Sequence, residues 1–182
     1  MSEKKPSEIK EIVNIPEGVE VSLDQGILHV KGVKGELNKK LMHPSVKMNL
    51  HDKMIEVYCD DSPRRKEKAI VGAFAAHIRN MIKGVTTGYQ YTMKTVYSHF
   101  PIKVSLEGNI LMINNFLGER APRKAAILDG VKVDIQGDRI ILTGVDVDNI
   151  GQTAANIERA TRVKNRDVRV FQDGIYITSR GE

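Results

Sequence analysis

Four cations crowd one short stretch of this chain. Arg162, Lys164, Arg166 and Arg169 stand there with a single acid, Asp167. A guanidinium offers a planar fork of N–H donors that grips phosphate and stacks on bases, whereas an ammonium is a hydrated point charge. The chemistry implied is the holding of a polyanion. Arg159 lies just upstream, and a second group, Arg120, Arg123 and Lys124, rides on the segment NFLGERAPRKA. Gly118 and Pro122 make that segment a loop, and loops on a rigid scaffold are where binding residues concentrate. Covalent chemistry has much less to work with. The histidines (His29, His43, His51, His77 and His99) are scattered with no partner at zinc-ligand spacing. No phosphate-cradling glycine loop, dinucleotide fingerprint or nucleophile elbow occurs. Asp146 and Asp148 come nearest to a paired-carboxylate site that could hold a divalent cation for RNA hydrolysis. They open a helical segment, however, where a carboxylate is favoured for capping and dipole reasons alone. Cys59 precedes Asp60 and Asp61, whose charge would raise its pKa and leave it unreactive. The expectation is a binding protein, not an enzyme, with no metal and no cofactor.

Composition supports a soluble protein of one or two domains: 182 residues, 41% hydrophobic and 28% charged. No apolar run approaches the roughly 20 residues that span a bilayer. The charged start MSEKKPSEIK has no apolar core after it and is not a secretory signal. One cysteine permits no internal disulfide, so a reducing cytoplasm is expected. The formal charge is +5 with a pI of about 9.3. Residues 1–83 hold 12 Lys and 3 Arg, and residues 84–182 hold 5 Lys and 8 Arg. In the second half the acids cluster at Asp129, Asp134, Asp138, Asp146 and Asp148, and the bases at 120–124 and 159–169. Such segregation points to one face for a polyanion and another for solvent.

The elements that position these cations come as a repeat. VSLDQGILHVKGVKGE (Val21–Glu36) aligns without gaps to VSLEGNILMINNFLGE (Val104–Glu119), with seven of sixteen positions identical. VKMNLHDKMIEV (Val46–Val57) then matches VKVDIQGDRIIL (Val131–Leu142), and VGAFAAHIRNMI (Val71–Ile82) matches IGQTAANIERAT (Ile150–Thr161). Three matches in one order mean two copies of a module, 1–83 and 84–182. Within a copy, period-two alternation flanks Asp24-Gln25-Gly26 and His51-Asp52-Lys53, a hairpin pattern. The spacing then becomes helical, with Ile70, Phe74, Ile78, Met81 and Ile82 as the apolar stripe. Ser62 with Pro63 would start that helix and Gly84 end it. The fold class is therefore α+β: two tandem similar domains, each a small, mainly antiparallel sheet with one helix packed on it. Gly72 and Gly151 occupy matching helical places, for which close packing on the sheet is the expected reason. Tyr89, Tyr91, Met93, Thr95 and Tyr97 alternate onto one face of a strand, where they would seal a seam between the domains or offer stacking platforms to bases.

Two geometries remain open for the cationic stretch. A helix running on would place Arg159, Arg162, Arg166 and Arg169 on one face. An extended chain would place Arg162, Lys164 and Arg166 together instead. VRVF favours a strand from Val168, and Gln172-Asp173-Gly174 would turn it into a hairpin, bringing Ile175 and Ile177 back against Val168 and Val170.

The run RVFQDGIYITSR resembles a signature of the archaeal and eukaryotic branch of the L-six family of large-subunit ribosomal proteins. Arg169, Phe171, Asp173, Gly174, Ile175, Tyr176, Ile177 and Arg180 fit it. VYSHFPI, NFLGE, NMIKGVT and VKGVKGEL are also similar to that family. The resemblance implies two duplicated α+β domains and a structural place in the large subunit. It implies binding of large-subunit rRNA, chiefly through the C-terminal domain, near the sarcin–ricin loop and the base of the factor-binding stalk. Neighbouring ribosomal proteins would be partners and translation factors transient neighbours, in the cytoplasm and with no membrane. The implied RNA contacts add Tyr176 and Arg180 to the cations above. A free-standing RNA-binding factor is the alternative function.

Overall fold

Alternating apolar residues build the hairpins of both halves. The first half runs β1 (Ile9–Asn14), β2 (Glu20–Asp24), β3 (Ile27–Gly32), β4 (Gly35–Lys40), β5 (Lys47–His51), β6 (Met54–Cys59) and α1 (Arg65–Thr86). The second runs β7 (Tyr89–Val96), β8 (Lys103–Glu107), β9 (Ile110–Asn114), β10 (Arg123–Ala126), β11 (Val131–Gln136), β12 (Arg139–Gly144), α2 (Val147–Ala160) and β13 (Gly174–Ser179). The computed structural model describes residues 9–59 and 65–181. The expected helix start at Ser62 and Pro63, and the Asp60–Asp61 pair beside Cys59, lie outside the described residues. Two units emerge, Met1–Thr87 and Gly88–Glu182. Each is α+β with one helix and antiparallel strands, divided between two sheets. The first unit has β1-β6-β5 and β2-β3-β4, and the second β11-β12-β7-β13 and β10-β9-β8.

The repeat is visible as shared register. Val21 pairs with Val30 and Leu23 with Leu28, and their repeat partners pair likewise, Val104 with Ile113 and Leu106 with Leu111. Met48 opposite Val57 recurs as Val133 opposite Leu142. A one-residue slip in either hairpin would turn its apolar set outward, so burial fixes the pairing. The β2–β3 turn meets the twist of its strands by placing both Gln25 and Gly26 at positive φ, 45° and 80°. A departure from duplication is β13, which adds to the free edge of β7. Among the described residues no strand occupies that edge of β1, its counterpart.

The helices bury equivalent positions. Val71, Ala75, Ile78 and Ile82 point inward from α1, and Ile150, Ala154 and Ile157 from α2, with Thr161 just past its end. Ile78, Met81 and Ile82 of the expected stripe are buried, but its first two members give way to Val71 and Ala75. Ile70 and Phe74 are only half-buried. Gly84 does not end α1 either. It is buried within the helix, which continues to Thr86 and is closed by Gly88 at φ 73°. The close-packing expectation for Gly72 and Gly151 is also overturned. A Cβ at Gly72 would meet nothing within 4 Å, and one at Gly151 only the Tyr91 hydroxyl at 4.0 Å. The tight contacts fall at strand ends instead. A Cβ on Gly32 would sit 2.8 Å from Val85, and one on Gly144 2.8 Å from the Gly130 carbonyl.

Tyr89 and Met93 face inward, among the buried residues of the second unit's core with Leu111, Ile113, Phe116, Ile140, Leu142, Ile150, Ile157 and Ile175. Their strand, β7, pairs with β12 and β13 on its two sides. Tyr89 therefore offers no open ring face to a base, while Tyr91 is half-buried. Only Tyr97, beyond the strand, is exposed.

Candidate nucleic-acid interface

The cationic stretch is neither a helix nor a strand. The α2 helix stops at Ala160, and residues 162–173 form an irregular loop. Thr161 ends the helix because its buried hydroxyl accepts from the Ile175 backbone N–H at 3.0 Å and lies 3.2 Å from the Glu158 carbonyl oxygen. Downstream, the VRVF segment turns instead of extending. The N–H groups of Val170 and Phe171 both donate to the Asp167 carbonyl, at 3.1 and 3.0 Å. The Asp167 side chain accepts from the Arg169 N–H at 2.9 Å, an Asx turn. The expected hairpin through Asp173-Gly174 is thereby corrected. Val168 and Val170 pair with no strand and remain 62% and 69% exposed, while Ile175 and Ile177 pair with Thr95 and Met93 of β7. Asp173 is not a turn residue. It is buried, and its carboxylate accepts from the Ser98 N–H at 3.3 Å and hydroxyl at 3.2 Å. The loop is thus fastened at both ends, by Thr161 and by Asp173.

Between those fastenings Arg162, Lys164, Arg166 and Arg169 are all exposed. The Arg166 guanidinium lies over the Phe171 ring, 4.8 Å from its centroid. The nearest acid to Arg169 is Asp167, with Nε 3.4 Å from Oδ1, and both are exposed enough for water to screen the pair. Arg159 is exposed in the last turn of α2, and Arg120 and Lys124 are exposed on and after the 115–122 loop. Lys124 and Arg159 line one shallow depression with Ala125 and Asn156.

Arg123 behaves differently from the other cations. Its Nη1 donates to the carbonyls of Ala160 at 2.9 Å and Arg162 at 3.0 Å. Its Nε and Nη2 donate to the two carboxylate oxygens of Glu119 at 2.8 and 2.6 Å. The guanidinium also sits 4.1 Å above the centroid of buried Phe116. Arg123 is a clamp that brings the 120–124 and 159–169 segments together, satisfying the orphan carbonyls at the end of α2. Two further residues have separate places: Tyr176 beside the loop and Arg180 away from it. Tyr176 is 42% exposed in β13 with its hydroxyl donating to the Gln172 carbonyl at 3.1 Å. Arg180 lies past the far end of β13, about 20 Å along the strand from the loop.

The Arg123 hydrogen bond holds the Glu119 carboxyl below its ordinary range against the opposing effect of partial burial, and the charges of Arg123 and Arg166 lower it further. A carboxyl with a depressed folded-state pKa contributes stability that is complete above its unfolded value, about 4.3, and lost as pH falls through the lower folded value. Urea midpoints measured from pH 6 down to 3 should therefore fall more steeply for the wild type than for Glu119→Gln, and the two curves should converge at the acid end.

Of the two expected candidates Asp146 caps α2, its carboxylate accepting from the Asp148 N–H at 2.9 Å. Among the described residues no three His, Cys, Asp or Glu side chains gather where they could hold a metal ion. Among these residues, too, no helix is long and apolar enough to cross a membrane. Sequence reading missed Ser98 and Phe116. The only available pointer was their presence in the VYSHFP and NFLGE segments.

Comparison with known proteins agrees with the geometry. The ribosomal protein L6 family model matches residues 15–88 and again 100–174, one segment in each half of the repeat. The large ribosomal subunit protein uL6 of Methanospirillum hungatei JF-1 is 47% identical over 174 residues, 96% of this chain and 98% of that protein. The protein of the same name from Methanosarcina mazei is 44% identical over 173 residues, 95% of this chain and 98% of that protein. Matches that span both repeats and nearly the full length of each relative place the chain in the ribosomal protein L6 family.

Proposed function

We propose that the chain is a structural constituent of the large ribosomal subunit that binds large-subunit rRNA and performs no chemistry of its own. The observation that carries this reading is the near full-length similarity to large-subunit proteins. The exposed cations on the fastened loop of the second unit supply the physical means. Arg159, Arg162, Lys164, Arg166 and Arg169, with Arg120 and Lys124 across the Arg123 clamp, form the contact face. Each phosphate neutralised releases counterions, so such a face binds with strong salt dependence. A loop of fixed shape reads folded RNA by contour more than by sequence. The resemblance directs the reading further, to rRNA near the sarcin–ricin loop and the base of the factor-binding stalk. Neighbouring ribosomal proteins and passing translation factors would then be its surroundings, in the cytoplasm.

Sedimentation of ribosomal subunits in high salt tests the reading. The chain should travel with large subunits at salt concentrations that strip loosely held factors. Recovery in the unbound fraction under those conditions would favour a free-standing RNA-binding factor instead.

A further inference from the structure

Beside the cationic loop lies an open groove of about 410 Å³. Ala155, Val163, Val168, Phe171 and Tyr176 supply its apolar walls, Arg159 and Arg162 its cations, and Glu158 its one acid. A glycine shapes one wall. A Cβ on Gly174 would come within 2.9 Å of the Tyr176 ring, so only a bare Cα lets that ring lie back against the strand. The hydrogen bond from the Tyr176 hydroxyl to the Gln172 carbonyl then fixes the ring's orientation. Phe171 is braced in turn by the Arg166 guanidinium. Two fixed aromatic side chains thus line a groove with two guanidinium-bearing residues.

We propose that this groove receives a single unstacked nucleotide of the bound RNA, its base against Tyr176 and Phe171 and its phosphate toward Arg159 and Arg162. Charge complementarity selects the occupant, since the loop and helix end beside the groove carry five cations (Arg159, Arg162, Lys164, Arg166 and Arg169) against Glu158 and Asp167. The volume exceeds that of one base and is too small for a duplex. Unstacked bases splayed onto aromatic side chains are the usual means by which proteins take hold of single-stranded RNA elements. The proposal rests on the rRNA-binding reading above and adds a base contact to what is otherwise a phosphate surface.

Stacking and phosphate contact leave different traces, and that difference is the test. The full chain and its variants are titrated with a large-subunit rRNA transcript at several salt concentrations. Tyr176→Leu should weaken binding on the order of tenfold at every salt concentration, leaving the slope of log K against log salt unchanged. Tyr176→Phe, which keeps the ring, should stay within about twofold. Arg162→Gln should instead lower the magnitude of the slope by about one. If Tyr176→Leu, with its melting temperature preserved, binds the transcript as well as wild type, the groove holds no base. The same variant failing only in incorporation into large subunits would assign the groove to a protein neighbour and equally overturn the proposal. The absence of salt-dependent binding by the wild type would sink the rRNA-binding reading itself, a separately recognisable result.

Discussion

Changing Arg162, Lys164 and Arg166 together to glutamate should weaken binding to large-subunit rRNA by at least about a hundredfold at moderate salt. Three phosphate partners become three repulsive charges, a swing of six units on one loop. Filter binding across a salt series should show the slope falling by two to three, about one for each contact removed. The fold should survive. The side chains of Arg162 and Lys164 are exposed, and it is the Arg162 carbonyl, which substitution leaves in place, that accepts from Arg123. Arg166 alone carries a packing role through Phe171, a contact of about 0.5–1 kcal/mol at an exposed site. The matched control is Lys31, Lys34 and Lys39 to glutamate in the first unit, where the effect should be severalfold smaller. Of those, Lys34 donates to the Thr87 carbonyl and Lys39 lies 3.2 Å from His77, so a melting curve must accompany the comparison. Equal losses from both triples would mean that the second unit is not the principal contact.

The second large effect is on stability. Arg123→Ala should lower the unfolding free energy by about 3 kcal/mol, because Glu119 and the carbonyls of Ala160 and Arg162 lose their partner at once. For a unit of this size that is a drop in melting temperature on the order of 10–15 °C, readable by calorimetry. Arg123→Lys should recover only part, since an ammonium cannot span both the carboxylate and the carbonyls. Arg120→Ala, on the loop just before Arg123 and exposed, should change stability by no more than about 0.5 kcal/mol. Rank order decides the matter. An Arg123→Ala protein as stable as Arg120→Ala, yet weaker on RNA with a shallower salt slope, would make Arg123 a phosphate contact after all.

The legible parts of the fold were those fixed locally or by repetition. Hairpin register followed from alternation, and the cap at Asp146 from residue type and place. The start of the α1 stripe is misread because Ile70 and Phe74 outweigh Val71 and Ala75 in size, while Ile78, Met81 and Ile82 are buried as expected. The repeat had the right answer, since Val71, Ala75, Ile78 and Ile82 align with Ile150, Ala154, Ile157 and Thr161. What sequence could not disclose depends on distant partners. Asp173-Gly174 has the composition of a turn, but Ser98, 75 positions away, claims the aspartate. Arg123 reads as one more loop cation until the carbonyls 37 and 39 residues downstream are found beneath it. The groove, likewise, is assembled from a helix end, a loop and a strand. No single one of them announces it.

The double fastening of the loop carries a consequence for how the chain can vary. Thr161 and Asp173 hold both ends at fixed points, so the number of residues between them is constrained as tightly as their identity. One inserted residue would preserve every cation while shifting each from its place, like a key recut with the same teeth at a new pitch. Ordering those residues is completed during folding, so little freedom remains to be lost on docking. By the same logic, a ligand of different contour would find the loop unable to rewrap around it.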